Sequence, residues 1–330
     1  MVTGKLKTGE FERIARFFAP LSKPVSGAFS LSDDTAVLDL TVGHQLVAAS
    51  DTLVEGVHFF GDDPARDIAL KLLAVNLSDF AAMGAHPKTY LLNIALPDSI
   101  DDTWLEAFSA GLAQGQEQYR VTLVGGDSVS TPGPLTLSLT LLGEIGKGRE
   151  LRRNGAGEGD LIYVSGTIGD AALGLKLRQG ELEGLVDEDR DYLLERYRRP
   201  TPRLALGQDL TGLARAAIDI SDGLVADLMH MCRQSGLAAE LAAPAVPLSF
   251  AGRAALDRDP ALIEAVLTGG DDYELLFAVP EDRADEISAL ASKLDFALTR
   301  IGHFRAGEGV RIIDAMGDEI EFSSPGYRHF

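Results

Sequence analysis

Apolar residues in this sequence recur with two different periods, and this alternation constrains the fold more than any other feature. The segment 135–141 has leucine at every second position with Ser or Thr between, which predicts a strand with one buried face. Apolar runs at 45–49 and 91–96 also have strand length, whereas 64–85 and 101–119 carry apolar residues at helical spacing. Strands mixed with long helices predict a layered α/β or α+β fold.

The chain has 330 residues, which favours two domains. Glycines and arginines cluster between 143 and 159, so we expect a boundary there, with domains of 1–148 and 149–330. Apolar residues beginning with Phe11 lie at helical spacing and predict a short amphipathic helix over 9–21.

Acidic residues outnumber basic ones by 50 to 30, which gives a formal net charge of −20. This charge argues against binding to duplex nucleic acid, which needs a basic surface, and against an anionic membrane. The single cysteine, Cys232, excludes an internal disulfide framework and a cysteine-based zinc site, and it suits a reducing compartment. The N-terminus lacks the apolar stretch of a signal peptide, and the longest uncharged run, 128–143, contains two prolines. We therefore expect a cytoplasmic protein with no nucleic-acid and no membrane partner.

Many aspartates lie at the ends of apolar runs, where a side chain is half buried. Any single one is also typical of a helix N-cap or a turn. Asp79 is the most informative, because it shares a helical face with Asn76 in the otherwise apolar stretch 72–85, where an unpaired polar group costs about 2–7 kcal/mol. The aspartates in such positions are Asp33, Asp34, Asp51, Asp79, Asp127, Asp219, Asp222, Asp271 and Asp272.

Taken together, these carboxylates indicate a cation site. Half-buried carboxylates with few basic neighbours repel one another, which raises their pKa and disfavours ionisation unless a cation is bound. The sequence has no cysteine cluster and no His-x-x-x-His spacing, so the ligands are oxygens and the expected ion is Mg²⁺. Because Mg²⁺ typically bridges carboxylates to phosphate, the pattern predicts metal-dependent binding of a polyphosphate.

Familiar phosphate-binding motifs are absent: the sequence has neither a P-loop nor the His-Arg-Asp triplet of protein kinases. Gly-Gly-Asp occurs at 125–127 and again at 269–271, by duplication or by chance, and its glycines allow close approach of a phosphate. The segment 166–169 is either an anion cradle or a tight turn. The arginines of 149–153 form either a solvated loop or a phosphate clamp, and His58 is either a phosphate contact or a surface imidazole.

Motifs spread over nearly the whole chain together resemble the thiamine-monophosphate kinase family. Each motif is weak alone, but eight in the same order are specific. The wider superfamily includes aminoimidazole ribonucleotide synthetase, selenophosphate synthetase and a hydrogenase maturation factor. The segments that carry the resemblance are 9–16, 33–34, 51–59, 74–85, 125–127, 218–224, 269–275 and 326–327.

The resemblance implies transfer of the ATP γ-phosphate to thiamine monophosphate, which gives thiamine diphosphate and ADP. It implies direct in-line transfer assisted by several Mg²⁺ ions, with ATP as co-substrate. It also implies two α/β domains: an N-terminal ATP-binding and Mg²⁺-binding domain whose mixed sheet forms a barrel across a homodimer, and a C-terminal α/β sandwich that completes the substrate site.

Site residues carry over from the family position by position. The implied metal ligands are Asp34, Ser50, Asp51, Asp79, Asp127, Asp219 and Asp222. The implied nucleotide contacts are Gly126, Asp127, Arg153 and Ser221. The implied contacts to thiamine monophosphate are His58, Asp271 and Tyr327, and the implied catalytic residues are Asp127, Asp219 and Asp222.

Two alternatives remain open at this point. One is another ATP-dependent enzyme of the same superfamily, of the aminoimidazole ribonucleotide or selenophosphate synthetase type. The other is a non-catalytic protein that binds nucleotide and metal, which would bind ATP without substrate-dependent release of ADP.

Overall fold

The computed structural model describes residues 9–322, 324, 326 and 327 of the chain. They divide into two compact units, the first running up to Leu77 and from 86 to 147, and the second comprising 78–85 and the chain from Gly148 onward. The second unit thus includes a short piece of helix from the first half of the chain. None of the helices in the described residues combines the length and hydropathy needed to cross a lipid bilayer.

The first unit begins with the helix expected over 9–21, which the structure confirms in three consecutive parts. These are α1 (Glu10–Arg13), a π-helical turn (Ile14–Phe18) and α2 (Ala19–Ser22). Phe11 was expected on the apolar stripe but is 84% exposed, whereas Phe18 is buried. The π-helical turn explains the difference, because its wider hydrogen-bonded loop shifts which residues share a face.

A four-stranded mixed sheet and two long helices complete the first unit. In the sheet order β1-β4-β2-β3, only the β2–β3 pair is parallel. The elements are β1 (His44–Val54), α3 (Ala65–Met83), β2 (His86–Leu96), α4 (Asp102–Tyr119), β3 (Thr122–Ser130) and β4 (Thr136–Gly146).

The two faces of this sheet differ in polarity, as the alternating pattern predicts. All four leucines of 135–141 are buried, and the Ser and Thr residues between them are half-buried. Tyr90, which pairs with Leu141, donates a hydrogen bond to Gln116 of α4 at 3.0 Å, so α4 lies on the leucine face. The opposite, hydroxyl-rich face holds Ser50, whose Oγ lies 3.1 Å from Thr140 Oγ1.

The second unit has a six-stranded mixed sheet in the order β10-β7-β9-β5-β8-β6, in which only the β10–β7 pair is parallel. Its elements are β5 (Leu161–Ser165), α5 (Asp170–Gln179), α6 (Asp187–Arg198), α7 (Leu204–Leu210), β6 (Ala216–Asp219), α8 (Leu224–Ser235), β7 (Ala238–Ala242), α9 (Phe250–Arg258), α10 (Ile263–Thr268), β8 (Leu275–Val279), α11 (Ala284–Ala291), β9 (Leu298–Arg305) and β10 (Gly309–Ile313).

Buried side chains cover both faces of the second sheet. Ile162 of β5 belongs to the core shared with α8, while its neighbour Tyr163 belongs to the core shared with α7 and α11. Ala81 and Ala82, in the last turns of α3, pack into this second core, which explains why 78–85 belongs to the second unit. The predicted two-domain α/β fold is confirmed, with a mixed sheet in each unit. No closed barrel is formed by the described residues, where β1 and β3 are the edges of an open sheet.

Candidate functional site

A cavity of about 540 Å³ lies in the first unit, between the N-terminal segment and the strands β2 and β3. Asp34 and Asp127 both line it, so the structure brings these two predicted metal ligands to one cavity. Its wall also includes apolar side chains such as Phe18 and Leu91. A cavity that combines carboxylates with an apolar wall suits a ligand that has both a charged and an apolar part.

Gly126 brings the β3 backbone close to β2 at the wall of this cavity. Its φ is +146°, and a Cβ at this position would overlap the Leu92 carbonyl oxygen, so only glycine fits. The next residue, Asp127, is exposed, and its Oδ1 accepts a hydrogen bond from the Ser128 N–H at 2.8 Å. This bond fixes the carboxylate while leaving it at the cavity surface.

Ser50 and Asp51 lie side by side on β1 and belong to opposite faces of the sheet. Ser50 Oγ donates a hydrogen bond to the Leu139 carbonyl at 3.1 Å, and Asp51 itself pairs with Leu139, a residue of the leucine face. The Asp51 N–H donates to Asn76 Oδ1 at 3.1 Å, which satisfies the buried Asn76. The pairing register therefore places Asp51 on the other face of the sheet from Asp127.

His58 closes a tight turn at the end of β1. Its Nδ1 accepts a hydrogen bond from the Val54 N–H at 3.0 Å. Its carbonyl accepts one from the buried Lys71 ammonium at 3.1 Å. One ring nitrogen of this predicted substrate contact thus has a local structural role.

Asp219 ends β6 in the second unit and is buried. Its Oδ2 accepts a hydrogen bond from Ser78 Oγ at 2.7 Å. Burial raises the pKa of Asp219, the Ser78 hydrogen bond and the Arg153 charge oppose this shift, and the nearby Asp222 carboxylate adds to it. Asp79, next to Ser78 on α3, belongs to the same unit and is half-buried.

Asp227 organises the loop that follows β6. Its Oδ2 accepts hydrogen bonds from the N–H groups of Ser221 at 3.0 Å, Asp222 at 3.0 Å and Gly223 at 3.2 Å. Burial raises the pKa of Asp227 to about 8, and the Asp219 and Asp222 charges add to the shift. Sequence reasoning missed Asp227, although an acidic residue in the first turn of a helix is a known capping signal.

Two further segments are fastened to this loop by backbone hydrogen bonds. The Asp271 N–H donates to the Ser221 carbonyl at 2.9 Å, and the Tyr327 N–H donates to the Asp222 carbonyl at 3.0 Å. Asp271 and Tyr273 have φ values of +72° and +51°, which non-glycine residues adopt only where the surroundings enforce them. The structure thus brings together the predicted residues Ser221, Asp222, Asp271 and Tyr327.

The segment 166–169 forms a tight turn that holds one of the protein's own carboxylates. Asp272 accepts hydrogen bonds from the N–H groups of Gly169 at 2.6 Å and Ala171 at 3.2 Å, at the start of α5. These donors are the ones an anion cradle would offer, so the structure supports the turn interpretation. Burial raises the pKa of Asp272 to about 8, opposed by these hydrogen bonds and by Arg196.

The donors available for a metal ion are carboxylate and hydroxyl oxygens, the type that Mg²⁺ binds. Within the described ranges, no three His, Cys, Asp or Glu side chains lie close enough together to hold an ion. The chemistry nevertheless fits a cation, because burial disfavours the charge of Asp219 and an adjacent positive ion would offset this.

Two family models match most of the chain. AIR synthase related protein, N-terminal domain, matches residues 32–145, and AIR synthase related protein, C-terminal domain, matches residues 157–315. Thiamine-monophosphate kinase of Salmonella typhimurium is 43% identical over 324 residues, which cover 98% of each chain. The enzyme of the same name from Escherichia coli is 42% identical over the same length and coverage.

Solved structures of proteins with the same name are also similar to this chain. Thiamine-monophosphate kinase from Stenotrophomonas maltophilia is 46% identical with a TM-score of 0.80, and the match covers 86% of this chain and 89% of that one. A structure described as AaThiL complexed with AMPPCP and TMP is 32% identical with a TM-score of 0.78, and the match covers 100% of both chains. Hydrogenase maturation protein HypE in complex with ATP, at 23% identity and a TM-score of 0.77, shares the fold.

Proposed function

The chain belongs to the thiamine-monophosphate kinase family of AIR synthase-related proteins, and we propose that it transfers the γ-phosphate of ATP to thiamine monophosphate. The products are thiamine diphosphate and ADP. The observation that carries this proposal is the identity of 43% and 42% to enzymes of this name over 98% of both chains. The related structure with AMPPCP, an analogue of ATP, and TMP supports both substrates.

In the first unit, three of the proposed nucleotide and metal residues, Asp34, Gly126 and Asp127, line one cavity. Gly126 offers backbone that a phosphate can approach, and Asp34 and Asp127 line the same space. We assign Mg²⁺ binding to these two carboxylates and to Ser50 and Asp51 of β1, whose oxygens suit this ion. Asp51 lies on the other face of the sheet from Asp127 and would therefore serve a separate ion. His58, at the end of β1, is assigned to the phosphate of thiamine monophosphate.

In the second unit, the proposal is supported by the hydrogen bonds that join Asp271 and Tyr327 to the loop after β6 and by the bond from Ser78, the neighbour of Asp79, to Asp219. Asp79, Asp219 and Asp222 are assigned to Mg²⁺, which would offset the desolvation of Asp219. Arg153 and Ser221 are assigned to the nucleotide. Asp271 and Tyr327 are assigned to thiamine monophosphate, supported by the hydrogen bonds that fasten both to this loop.

The proposed chemistry is direct phosphoryl transfer without a covalent enzyme intermediate. An oxygen of the thiamine phosphate forms a bond to the γ-phosphorus, and the bond from this phosphorus to the oxygen bridging the β- and γ-phosphates breaks, leaving ADP. The acceptor is already an anion, so no general base is needed. Bound Mg²⁺ would neutralise charge on the two polyanions. The chain's own contribution is to position both substrates and to add the positive charge of Arg153.

We further propose that the protein is cytoplasmic. We also propose that two chains associate through their first units. β1 is an edge strand of the four-stranded sheet, and apolar side chains lie exposed on it and on the segment before it. Val42 is 97% exposed and Leu46 is 56% exposed. Burial of such side chains favours association, and pairing of edge strands would extend the sheet toward a barrel.

The proposal is tested by incubating the protein with ATP, thiamine monophosphate and Mg²⁺. We expect equal amounts of thiamine diphosphate and ADP, and no product when Mg²⁺ is chelated. Release of ADP only with the substrate of another superfamily enzyme, or ATP binding without turnover, would refute the assignment and favour one of the two alternatives.

Asp127→Asn tests the role of the cavity carboxylate. Asparagine can still accept the hydrogen bond from Ser128, so the fold is expected to survive while turnover falls at least about 100-fold. Glu117→Gln removes one charge from an exposed position of α4 and serves as the matched control. An Asp127→Asn enzyme as active as Glu117→Gln would remove Asp127 from the site.

A further inference from the structure

We propose that Asp227 is a positioning residue for the phosphoryl transfer, because it fixes the loop to which the proposed metal and substrate residues are attached. The inference rests on the proposed function, since it assigns a role within the same reaction. Asp227 itself lies in the first turn of α8 and is 3% exposed, so it acts on the substrates through the loop.

A single oxygen of Asp227 holds the loop. Oδ2 accepts the three consecutive N–H groups of Ser221, Asp222 and Gly223 at 3.0 to 3.2 Å. These N–H groups come immediately before α8, which begins at Leu224, so the intrahelical ladder offers them no acceptor. Without Asp227 they would be left without this partner, and the loop would lose the contact that fixes its backbone orientation.

The carbonyl groups of the same loop point to the other proposed residues. The Ser221 carbonyl accepts from the Asp271 N–H at 2.9 Å, and the Asp222 carbonyl accepts from the Tyr327 N–H at 3.0 Å. A peptide group is planar, so fixing the N–H of one residue also fixes the carbonyl of the residue before it. The Asp227 carboxylate therefore sets the directions of the acceptors for Asp271 and Tyr327.

Close packing makes this arrangement sensitive to small shifts. A Cβ on Gly270 would overlap the Ser221 carbonyl oxygen, and a Cβ on Gly326 would crowd the Asp222 carbonyl oxygen. The two segments thus touch the loop directly, with no space for a side chain. A displacement of the loop therefore also moves Asp271 and Tyr327.

The test compares two substitutions at Asp227 with a matched control in the second unit. Asp227→Ala removes the acceptor, whereas Asp227→Asn keeps an oxygen that can receive the same three hydrogen bonds. The control is Asp314→Ala, because Asp314 Oδ1 accepts the N–H groups of Met316 at 2.8 Å and Asp318 at 2.9 Å in a turn with no proposed site residue. Activity is measured per folded molecule, well below each melting temperature.

For Asp227→Ala we expect kcat/KM for thiamine monophosphate to fall about 100-fold, the size expected for a displacement of about 1 Å in a site. Asp227→Asn should restore most of this loss, and Asp314→Ala should lower the melting temperature without changing kcat or KM. A purely structural role for Asp227 predicts a lower melting temperature with unchanged kinetic constants, and that result would overturn the inference.

A second substitution decides the matter if Asp227→Ala does not fold. Gly270→Ala leaves Asp227 intact but pushes on the Ser221 carbonyl, so it should cause a similar loss in kcat/KM. Wild-type kinetics in Gly270→Ala would then refute the inference. The proposed function is tested separately: a wild-type protein that forms no thiamine diphosphate refutes the function, whereas an active wild type with a fully active Asp227→Ala refutes only the positioning role.

Discussion

Replacing Glu274 by glutamine tests how much the buried ion network contributes to the stability of the second unit. Glu274 is fully buried, and its Oε1 accepts hydrogen bonds from Arg203 at 2.6 Å and Arg196 at 3.0 Å. Its Oε2 accepts from Arg203 Nε at 2.6 Å and from Ser165 at 2.6 Å. Glutamine keeps the size of the side chain but leaves two guanidinium groups facing a neutral amide.

The expected loss follows from desolvation. Removing one partner of a buried ion pair costs about 3–5 kcal/mol, because the other charge stays buried without compensation. Only 14% of the Arg203 side chain is exposed, so water can restore little of its hydration. For a unit of this size, about 1 kcal/mol lowers the melting temperature by about 2–4 °C, so Glu274→Gln should lower it by about 6–20 °C.

The second unit contains a matched exposed pair for comparison. Glu286 binds Arg283 in the same two-pronged geometry, at 2.6 Å and 2.8 Å, with the two side chains 55% and 34% exposed. Solvent screens this pair, so Glu286→Gln should leave the melting temperature nearly unchanged. Both variants are measured by circular dichroism or calorimetry in one buffer. Equal losses in the two variants would refute the argument that burial sets the contribution of the pair.

Two further substitutions test the first unit. Hydrogen bonds from Thr41 and Lys88 lower the pKa of Glu144 from 4.5 to about 2, so its ionised form stabilises the fold above pH 4.5 and this contribution is lost as the pH falls toward 2. Glu144→Gln should therefore lower the melting temperature at pH 7, and the difference from wild type should shrink across that range; a constant difference would contradict this. Gly126→Ala should destabilise the unit and abolish ATP binding, because its Cβ would overlap a carbonyl oxygen of β2. Gly125→Ala, whose Cβ meets only the end of a leucine side chain, should be milder, and equal unfolding midpoints would contradict the steric argument.

Periodicity predicted the regular elements well and their surroundings less well. The leucines of 135–141 were expected to be buried and are, because strand geometry alone assigns alternate residues to one face. Phe11 was expected on a buried stripe and is exposed, because the π-helical turn after it has no periodic signature in the sequence. Likewise, the apolar pattern of 64–85 predicted a helix but not that Ala81 and Ala82 pack into the second unit's core.

Sequence patterns predicted the site less well than the fold, because the pairing of strands decides which face of the sheet a residue occupies. Asp51 and Asp127 both follow apolar runs, yet the register places them on opposite faces of one sheet. Contacts between residues distant in sequence could not be predicted from the sequence pattern either. The hydrogen bond between Ser78 and Asp219 joins residues 141 positions apart, and no local sequence pattern predicts it.

The aspartates of this fold fall into two groups that differ in what their side chains contact. Asp227 and Asp272 direct their carboxyl groups to backbone N–H groups beside helix starts, and these hydrogen bonds offset part of the cost of burying them. Asp34 and Asp127 instead line a cavity. A chain with a net charge of −20 repels a polyphosphate unless these cavity carboxylates hold a cation. Substitution by asparagine should therefore distinguish these two groups of aspartates. At Asp227, asparagine keeps the acceptor oxygen that the loop needs. At Asp127, it removes the charge that a cation would bind.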